Sequence, residues 1–575
     1  LFILAGRCFE GFVWKRIAIT ALVLALQFFC GHPQIFWITG IGMGLYIMGL
    51  GLFPLRKDNA LQTLKALGQL ALASTWCLAI VACSLLPFLT LIDQGNRSDS
   101  ETFAAFGKMP HEAFLSLFGT LKPLWEYNIF TGWWLTLPGL AGLTMIRNRT
   151  CRAWMFVVAV SALMALGNDT PMFTLNYHLL PGFAKMRFVA RIAILIPMGL
   201  LICGAIWLSR KEYTKSDLLR ALLTSNAAMW LVCLLYEQPV NSWQLPLTVN
   251  LYAFGFPAAL VLIASVWSTR VRIQPLLAVI AIGCLVEIGS EAWSIKSIYK
   301  MVNVSGIDPS HPGQMILAEH LSQHFPAEEG NPPPRVLINS HAVPESYGMI
   351  HGYSSPDAYT SLFLKRPWDY LHGMLGITSP SLANTYLSYN VYRTTPFPWP
   401  AIAQDVGFHP DEGLVNNPTP SPRAYVSYAT ELPSSSEAVL NLLTNGHDIY
   451  SSTLIESALR KALPSTGSTA QPVSIQRFLN NEITLQCDSP DEGLLVLSEA
   501  WYPGWQAEVN GEVSSTIPVN YWMRGVRIPE GGQIVRIYYR EKNLALAIAI
   551  SAFALIAAIS VICRQSGPKA QPLAV

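Results

Sequence analysis

The sequence predicts a polytopic α-helical membrane protein that carries one large polar domain outside the membrane. Three observations lead there. About ten long apolar stretches run through the 575 residues, with Lys and Arg gathered in every second gap between them. A region of different composition, polar and rich in Pro and Ser, interrupts the apolar runs over 292–542. The chain as a whole is 51% hydrophobic and only 13% charged, where a soluble globule of this size carries roughly a quarter charged residues.

The spans are predicted at 14–31, 34–54, 67–92, 131–147, 153–167, 191–208, 218–237, 248–268, 273–291 and 543–563. Several reach the ~20 apolar residues that a bilayer core demands, and 153–167 is short enough to need its flanks. The cationic gaps hold Lys15 and Arg16; Arg56, Lys57 and Lys65; Arg147, Arg149 and Arg152; Arg210, Lys211, Lys215 and Arg220; Arg270 and Arg272; and Arg564 and Lys569. Cationic loops stay cytoplasmic. The pattern therefore predicts 292–542 outside and the tail 564–575 inside. A net charge of +2 gives no reason to expect a nucleic-acid partner.

At the N-terminus, Leu1 to Ala5 are apolar and lead into Gly6, Arg7 and Cys8, with no basic n-region and no small-residue cleavage site. They read as the tail of an earlier span, so the chain is expected to lack N-terminal helices. Of the ten cysteines, seven lie in or at the ends of apolar spans, where Cys serves as a small hydrophobe, and Cys487 alone lies well inside the polar region. No internal disulfide and no metal site are predicted.

Within the polar region, 292–470 reads as α+β. An amphipathic helix is predicted over Pro312–Phe325, stopped before Pro326. Pro332-Pro333-Pro334 leads into a short strand at Val336–Ile338, and Ser434–Leu443 reads as a helix with Gly446 at its C-terminal cap. From 471 to 542 the period becomes two. Strands are predicted at Val473–Leu485, Leu494–Leu497, Ala507–Val509 and Ile534–Tyr539, with turns at Asn510-Gly511 and Gly531-Gly532. The expectation is an antiparallel β-sandwich just ahead of the final span.

The residues Trp501-Tyr502-Pro503-Gly504-Trp505-Gln506-Ala507, then Val509-Asn510-Gly511, Asn520-Tyr521, Arg524-Gly525-Val526, Pro529-Glu530-Gly531 and Val535 to Tyr539 resemble the C-terminal signature of the YfhO family of bacterial membrane proteins. Gly31-His32-Pro33-Gln34, Pro181-Gly182-Phe183 with Arg187 and Arg191, Gly352-Tyr353 and Pro422-Arg423-Ala424-Tyr425 agree in order. That resemblance covers nearly the whole chain. It implies a GT-C type glycosyltransferase-like core in the bacterial plasma membrane that takes a sugar from a polyprenyl-phosphate carrier on the outer face. It also implies a cell-envelope glycopolymer such as lipoteichoic acid as acceptor, and membrane lipid as surroundings. The family's catalytic acidic residue belongs to a first exterior loop ahead of Leu1, so no residue here inherits that role and the catalytic group is unassigned.

Such a transferase needs cations for the leaving phosphate, a carboxylate for the acceptor hydroxyl and an apolar groove for the prenyl chain. Arg187 and Arg191, four apart at the exterior end of a span, are candidates to grip a phosphate; headgroup snorkelling or pairing with Asp169 is the plainer reading. His32 and Gln34 occupy the tight turn between the first two spans, as ligand contacts or as turn and cap. Glu126 contacts sugar hydroxyls or is a solvated loop charge. Glu287, inside the span at 273–291, pairs within the bundle or marks the exterior interface. Trp501, Tyr502 and Trp505 stack on an acceptor sugar or pack a hairpin built on the Pro503-Gly504 turn, and packing is the preferred reading. Gly40 and Gly44 have small-xxx-small spacing for close helix packing. His320 and His324 beside Glu319 have metal-compatible spacing that an ordinary amphipathic helix explains. No cofactor is predicted. Sugar transfer is the expected function, with a non-catalytic envelope-polymer scaffold as the alternative and a transporter third.

Overall fold

The computed structural model describes residues 1–51, 57–96, 107–110, 113–114, 129, 133–180, 182–185, 189–210, 212–214, 216–217, 220, 223, 270–272, 312–325, 330–337, 352–354, 363–374, 406–409, 413–416, 422–456 and 469–564. They fall into two compact units: Leu1–Leu85, Ser98–Met301 and Ala545–Val575 form the first, and Leu86–Arg97 with Val302–Leu544 the second.

The first unit is helical: α1 (Phe2–Arg7), α2 (Trp14–Phe29), α3 (Pro33–Gly51), α4 (Lys57–Ile80), the start of α5 (Ala82–Asp93), α6 (Trp133–Gly142), α7 (Arg149–Ala165), α8 (Pro171–Leu179), α9 (Leu195–Leu208) and the C-terminal helix Leu544–Arg564. A short ribbon, β1 (Glu212–Thr214) with β2 (Arg270–Arg272), joins two cation-rich gaps. Four helical stretches, Pro33–Gly51, Asp58–Ile80, Val189–Leu208 and Leu544–Arg564, are long and apolar enough to cross a membrane. This is the signature of a multi-pass membrane protein, with four such helices among the described residues and not ten.

The differences have local causes. The apolar run 67–92 is shared between α4 and α5, which break at Val81, and Pro87 denies α5 one backbone donor. Helices α2, α6 and α7 have 16, 10 and 17 residues, short of a full crossing. The stretches 218–237, 248–268 and 273–291, Glu287 with them, lie outside the described residues.

Glycines decide how these helices pack, but not those that the spacing picks out. Gly40 and Gly44 of α3 have nothing within 4 Å of an added Cβ, whereas a Cβ on Gly49 would lie 2.8 Å from the Ala153 backbone of α7. The true register of contact is set by which face meets the neighbour, and that is two residues from either member of the predicted pair, at Gly42, whose Cβ would meet Leu195 and Phe2 at 3.0 and 3.1 Å. Gly139 and Gly142 of α6 lie against the backbone of Leu200 and Cys203 in α9. The C-terminal end of α3 meets the Arg149-bearing start of α7: Arg149 donates from Nε to the Leu50 carbonyl at 3.0 Å and lies 5.0 Å over the Phe9 ring. Near the opposite end of α2 and α3, Gln27 donates to Thr39 Oγ1 at 2.7 Å.

The second unit holds α10 (Pro312–His324), α11 (Lys365–Met374) and α12 (Ser436–Thr444). Its strands are β3 (Val336–Leu337), β4 (Val406–His409), β5 (Gly413–Asn416), β6 (Ala424–Ser427), β7 (Thr430–Glu431), β8 (Thr453–Leu454), β9 (Gln471–Pro472), β10 (Ser474–Leu479), β11 (Glu482–Ser489), β12 (Gly493–Ala500), β13 (Trp505–Val509), β14 (Glu512–Ser515), β15 (Ile517–Val519), β16 (Met523–Ile528) and β17 (Gly531–Tyr539). Ser435 caps α12 by accepting from Ala438 N, and Gly446 closes it with φ +88.

Two five-stranded antiparallel sheets dominate, ordered β10-β11-β17-β13-β14 and β15-β16-β12-β6-β9. Residues of both, among them Ile483, Leu485, Val535 and Ile537 from one and Val426, Leu495, Leu497 and Val526 from the other, make one core. The second sheet buries its other face too, where Tyr425, Leu494 and Val496 meet Trp368, Tyr370, Val439 and Leu443. Hence Leu494 to Leu497 is an unbroken apolar run, while β11 and β17, open on one side, alternate. The expected single strand Val473–Leu485 is the hairpin β10–β11, turned at Asn480-Asn481. β6, drawn from ahead of residue 471, pairs with β12 inside the sheet.

Candidate functional site

In the first unit, α2 ends at Phe29 and the chain reverses through Gly31, whose φ of +90 requires glycine. His32 then caps α3. Its carbonyl accepts from Ile35 N and Phe36 N, and its ring Nδ1 accepts from Ile35 N at 3.4 Å. The ring Nε2 lies 3.5 Å from Arg191 Nη1, and that Nη1 donates to Gln34 Oε1 at 2.8 Å. Candidates from two separate parts of the sequence, the turn with His32 and Gln34 and the span end with Arg191, therefore meet at one point. Arg187 and Glu126 lie outside the described residues.

The positive character of this point has several sources. His32 and Gln34 sit at the N-terminus of the 19-residue α3, where backbone dipoles sum to a partial positive charge. Arg191 lies in the 3-10 turn Val189–Ile194 that opens the span Val189–Leu208, so a second helix N-terminus is adjacent. A cation at a helix N-terminus is electrostatically unfavourable on its own, and an anion between the two helix ends reverses the sign of the balance. Asp169 is paired with Lys108. The walls are apolar: Trp37 meets the Phe183 ring at 6.0 Å, and Phe173 meets it at 5.6 Å. Sequence reasoning passed over Asn176, 5% exposed on the same buried face of α8 as Phe173, whose Nδ2 has no hydrogen-bond partner among the described residues. Its signal was an amide set in an aromatic stretch.

In the second unit, Trp501, Tyr502 and Trp505 come together around the expected turn. Trp505 N donates to Tyr502 O at 3.4 Å, and Gly504 has φ +109. Tyr539 receives both neighbours, with ring centroids 6.0 Å from Tyr502 and 5.6 Å from Trp505. All three candidate rings are half-buried. Sequence reasoning did not single out Arg524 for chemistry. Its guanidinium lies 3.5 Å from the Trp505 ring centroid and donates from Nε to the Ala500 carbonyl at 2.9 Å. Burial pulls its pKa down to about 10. Nearby, Arg423 donates from Nε to Glu499 at 2.8 Å and from Nη1 to the Pro333 carbonyl at 2.6 Å. Two arginines, Arg524 and Arg527, in a strand otherwise filled with Met, Gly, Val and Ile were the available signal.

His320 of α10 bonds to Asn416 Oδ1 at 2.7 Å and stacks on His324 at 4.4 Å. No group of three metal-ligating side chains occurs among the described residues. No family model, curated protein or solved structure matches the chain.

Proposed function

We propose that this protein is a membrane-embedded glycosyltransferase-like protein of the bacterial plasma membrane. It transfers a sugar from a polyprenyl-phosphate carrier to a cell-envelope polymer or lipid on the outer face. The observation that carries this reading is the meeting of Arg191, Gln34 and His32 at the mouth of an apolar helix pair. A lipid-linked phosphate has the matching chemistry: an anion for the guanidinium, the amide and the ring N–H, continuous with an apolar tail. The ordered motifs that resemble the YfhO family support the same reading, as does the gathering of Arg149 with the cation-rich ends away from His32. On this orientation the second unit is exterior, presents the acceptor, and leaves Val575 cytoplasmic.

The test is Arg191→Gln in the full-length protein, reconstituted with a radiolabelled polyprenyl-phosphate hexose and envelope polymer. Losing a charge-assisted hydrogen bond costs about 1.5–3 kcal/mol, so sugar transfer should fall roughly ten- to a hundredfold at equal membrane abundance. Transfer equal to the parent's would return Arg191 to a headgroup contact. A non-catalytic polymer scaffold is the second reading, favoured by the aromatic corner around Arg524, and it predicts polymer binding without turnover by the parent protein.

A further inference from the structure

The corner of the sandwich around Arg524 is electrically incomplete. Arg524 is 6% exposed, and a charge so buried is costly unless it is paired and fully hydrogen-bonded. Its Nε has the Ala500 carbonyl and its face has Trp505, but its Nη1 has no hydrogen-bond partner among the described residues. The charges that act on it are Glu499 and Arg423. That carboxylate is already held by Arg423, which reaches Glu499 Oε1 from both Nε and Nη2. Two guanidinium groups and one carboxylate leave one positive charge over.

The neighbouring orphans have the same polarity. Trp501 Nε1 and Trp522 Nε1 are also buried with no hydrogen-bond partner among the described residues, so the unsatisfied side-chain groups along this segment are N–H donors too. The two tryptophans are tied together by Trp501 N donating to the Trp522 carbonyl at 2.7 Å. The segment that delivers Trp522 and Arg524 is itself held in an unfavourable backbone state: Asn520 and Tyr521 have φ of +45 and +69. For a tyrosine this conformation costs of order 1–3 kcal/mol. It is kept in place by Arg366 donating to the Tyr521 carbonyl at 2.8 Å and by the Tyr521 hydroxyl donating to Asp369 at 3.0 Å. Strain, a surplus cation and orphan donors thus coincide beside three half-buried aromatic rings.

We propose that this corner binds an acidic saccharide: the guanidinium of Arg524 receives a carboxylate or phosphate, and the rings of Trp501, Tyr502 and Trp505 lie against the sugar. Donors without acceptors call for an anion, and half-buried aromatic rings suit the apolar face of a pyranose. Water could meet an N–H, but it would leave the surplus charge. The site belongs to the second unit and stands whether or not the first unit transfers a sugar.

The full-length protein in detergent at low salt is titrated with tetragalacturonate, with a glycerol phosphate oligomer and with neutral maltotetraose, followed by tryptophan fluorescence and calorimetry. At least one acidic probe should bind about tenfold or more tightly than the neutral one, and added NaCl should weaken it. Preference between the two acidic probes names the anion. Arg524→Gln should remove the acidic preference. Glu499→Gln, which raises the local charge, should tighten acidic binding, an effect that a merely structural role would not produce. Should Arg524→Gln fail to accumulate, Arg524→Lys, which keeps charge but loses the fork, and Glu499→Gln carry the test. Equal binding of neutral and acidic probes, binding of none, or an Arg524→Gln protein that binds as the parent does would each overturn the proposal.

Discussion

Replacing Asn520 should loosen the second sheet from within, by an amount that separates side-chain from backbone contributions. Asn520 is fully buried. Its Oδ1 accepts from Leu454 N at 2.9 Å, its Nδ2 donates to the Tyr425 hydroxyl at 3.0 Å, and its own amide donates to the Leu454 carbonyl at 2.8 Å. In Asn520→Ala, the Leu454 amide becomes a buried donor without an acceptor, costing about 1–3 kcal/mol, and the loss of the tyrosine bond costs about 1 kcal/mol more. An alanine at φ +45 adds ~1 kcal/mol that asparagine largely avoids. The total is roughly 4 kcal/mol. Asn520→Gly relieves only the backbone part and should recover ~1 kcal/mol of it. A protein with two units has no single unfolding free energy, so the measurement is local: hydrogen exchange of the full-length protein over 449–456 and 519–528. Protection of the Leu454 amide should fall roughly 10²- to 10³-fold in Asn520→Ala. Unchanged protection, or a glycine variant no better than the alanine one, would refute the reasoning.

Two further outcomes follow from contacts of different kinds. In Gly142→Ala the new methyl would lie 2.3 Å from the Cys203 carbonyl oxygen, so α6 and α9 must separate, and thermal stability in detergent should drop by about 1–3 kcal/mol, whereas Gly44→Ala, with open space around it, should melt as the parent does; equal melting of the two variants would contradict the packing described. Arg536 donates to Glu482 at 2.6 Å and to Glu508 at 3.2 Å across three strands, and the first of these bonds holds the Glu482 carboxyl below its ordinary value of 4.5. A carboxylate so depressed contributes stability above its unfolded value, and that contribution is lost as pH falls through the lowered one. Between pH 6 and pH 3 the parent should therefore lose more protection over β11 and β17 than Arg536→Gln does, and parallel profiles would remove the triad from the account.

Much of this architecture was legible because it depends on local chemistry. The helix at Pro312, the cap at Gly446 and the turn at Pro503-Gly504 each rest on residues within one or two turns of each other. The alternation of β11 and β17 likewise reads directly, because one of their faces is open. β16 did not read as a strand, since a sheet buried on both faces shows a short apolar run without a period. The span count was overread for a related reason: apolar length does not show where a helix breaks, as at Val81, or stops short, as in α2.

The candidate site divides in the same way. By itself the sequence determined which residues were chemically unusual, His32, Gln34 and Arg191 among apolar spans and three aromatics around a Pro-Gly turn, because their type is costly or strained where it stands. Only the tertiary structure decided that Arg191 reaches Gln34 across 157 positions of sequence. Only it showed that Gly42 and Gly49, not Gly40 and Gly44, face their neighbours, and that Arg524 lies buried on Trp505 with one nitrogen unsatisfied. The physical reason is common to all three. Cost and propensity belong to a residue and its near neighbours, whereas proximity, helix rotation and desolvation are set by packing among segments far apart in the chain.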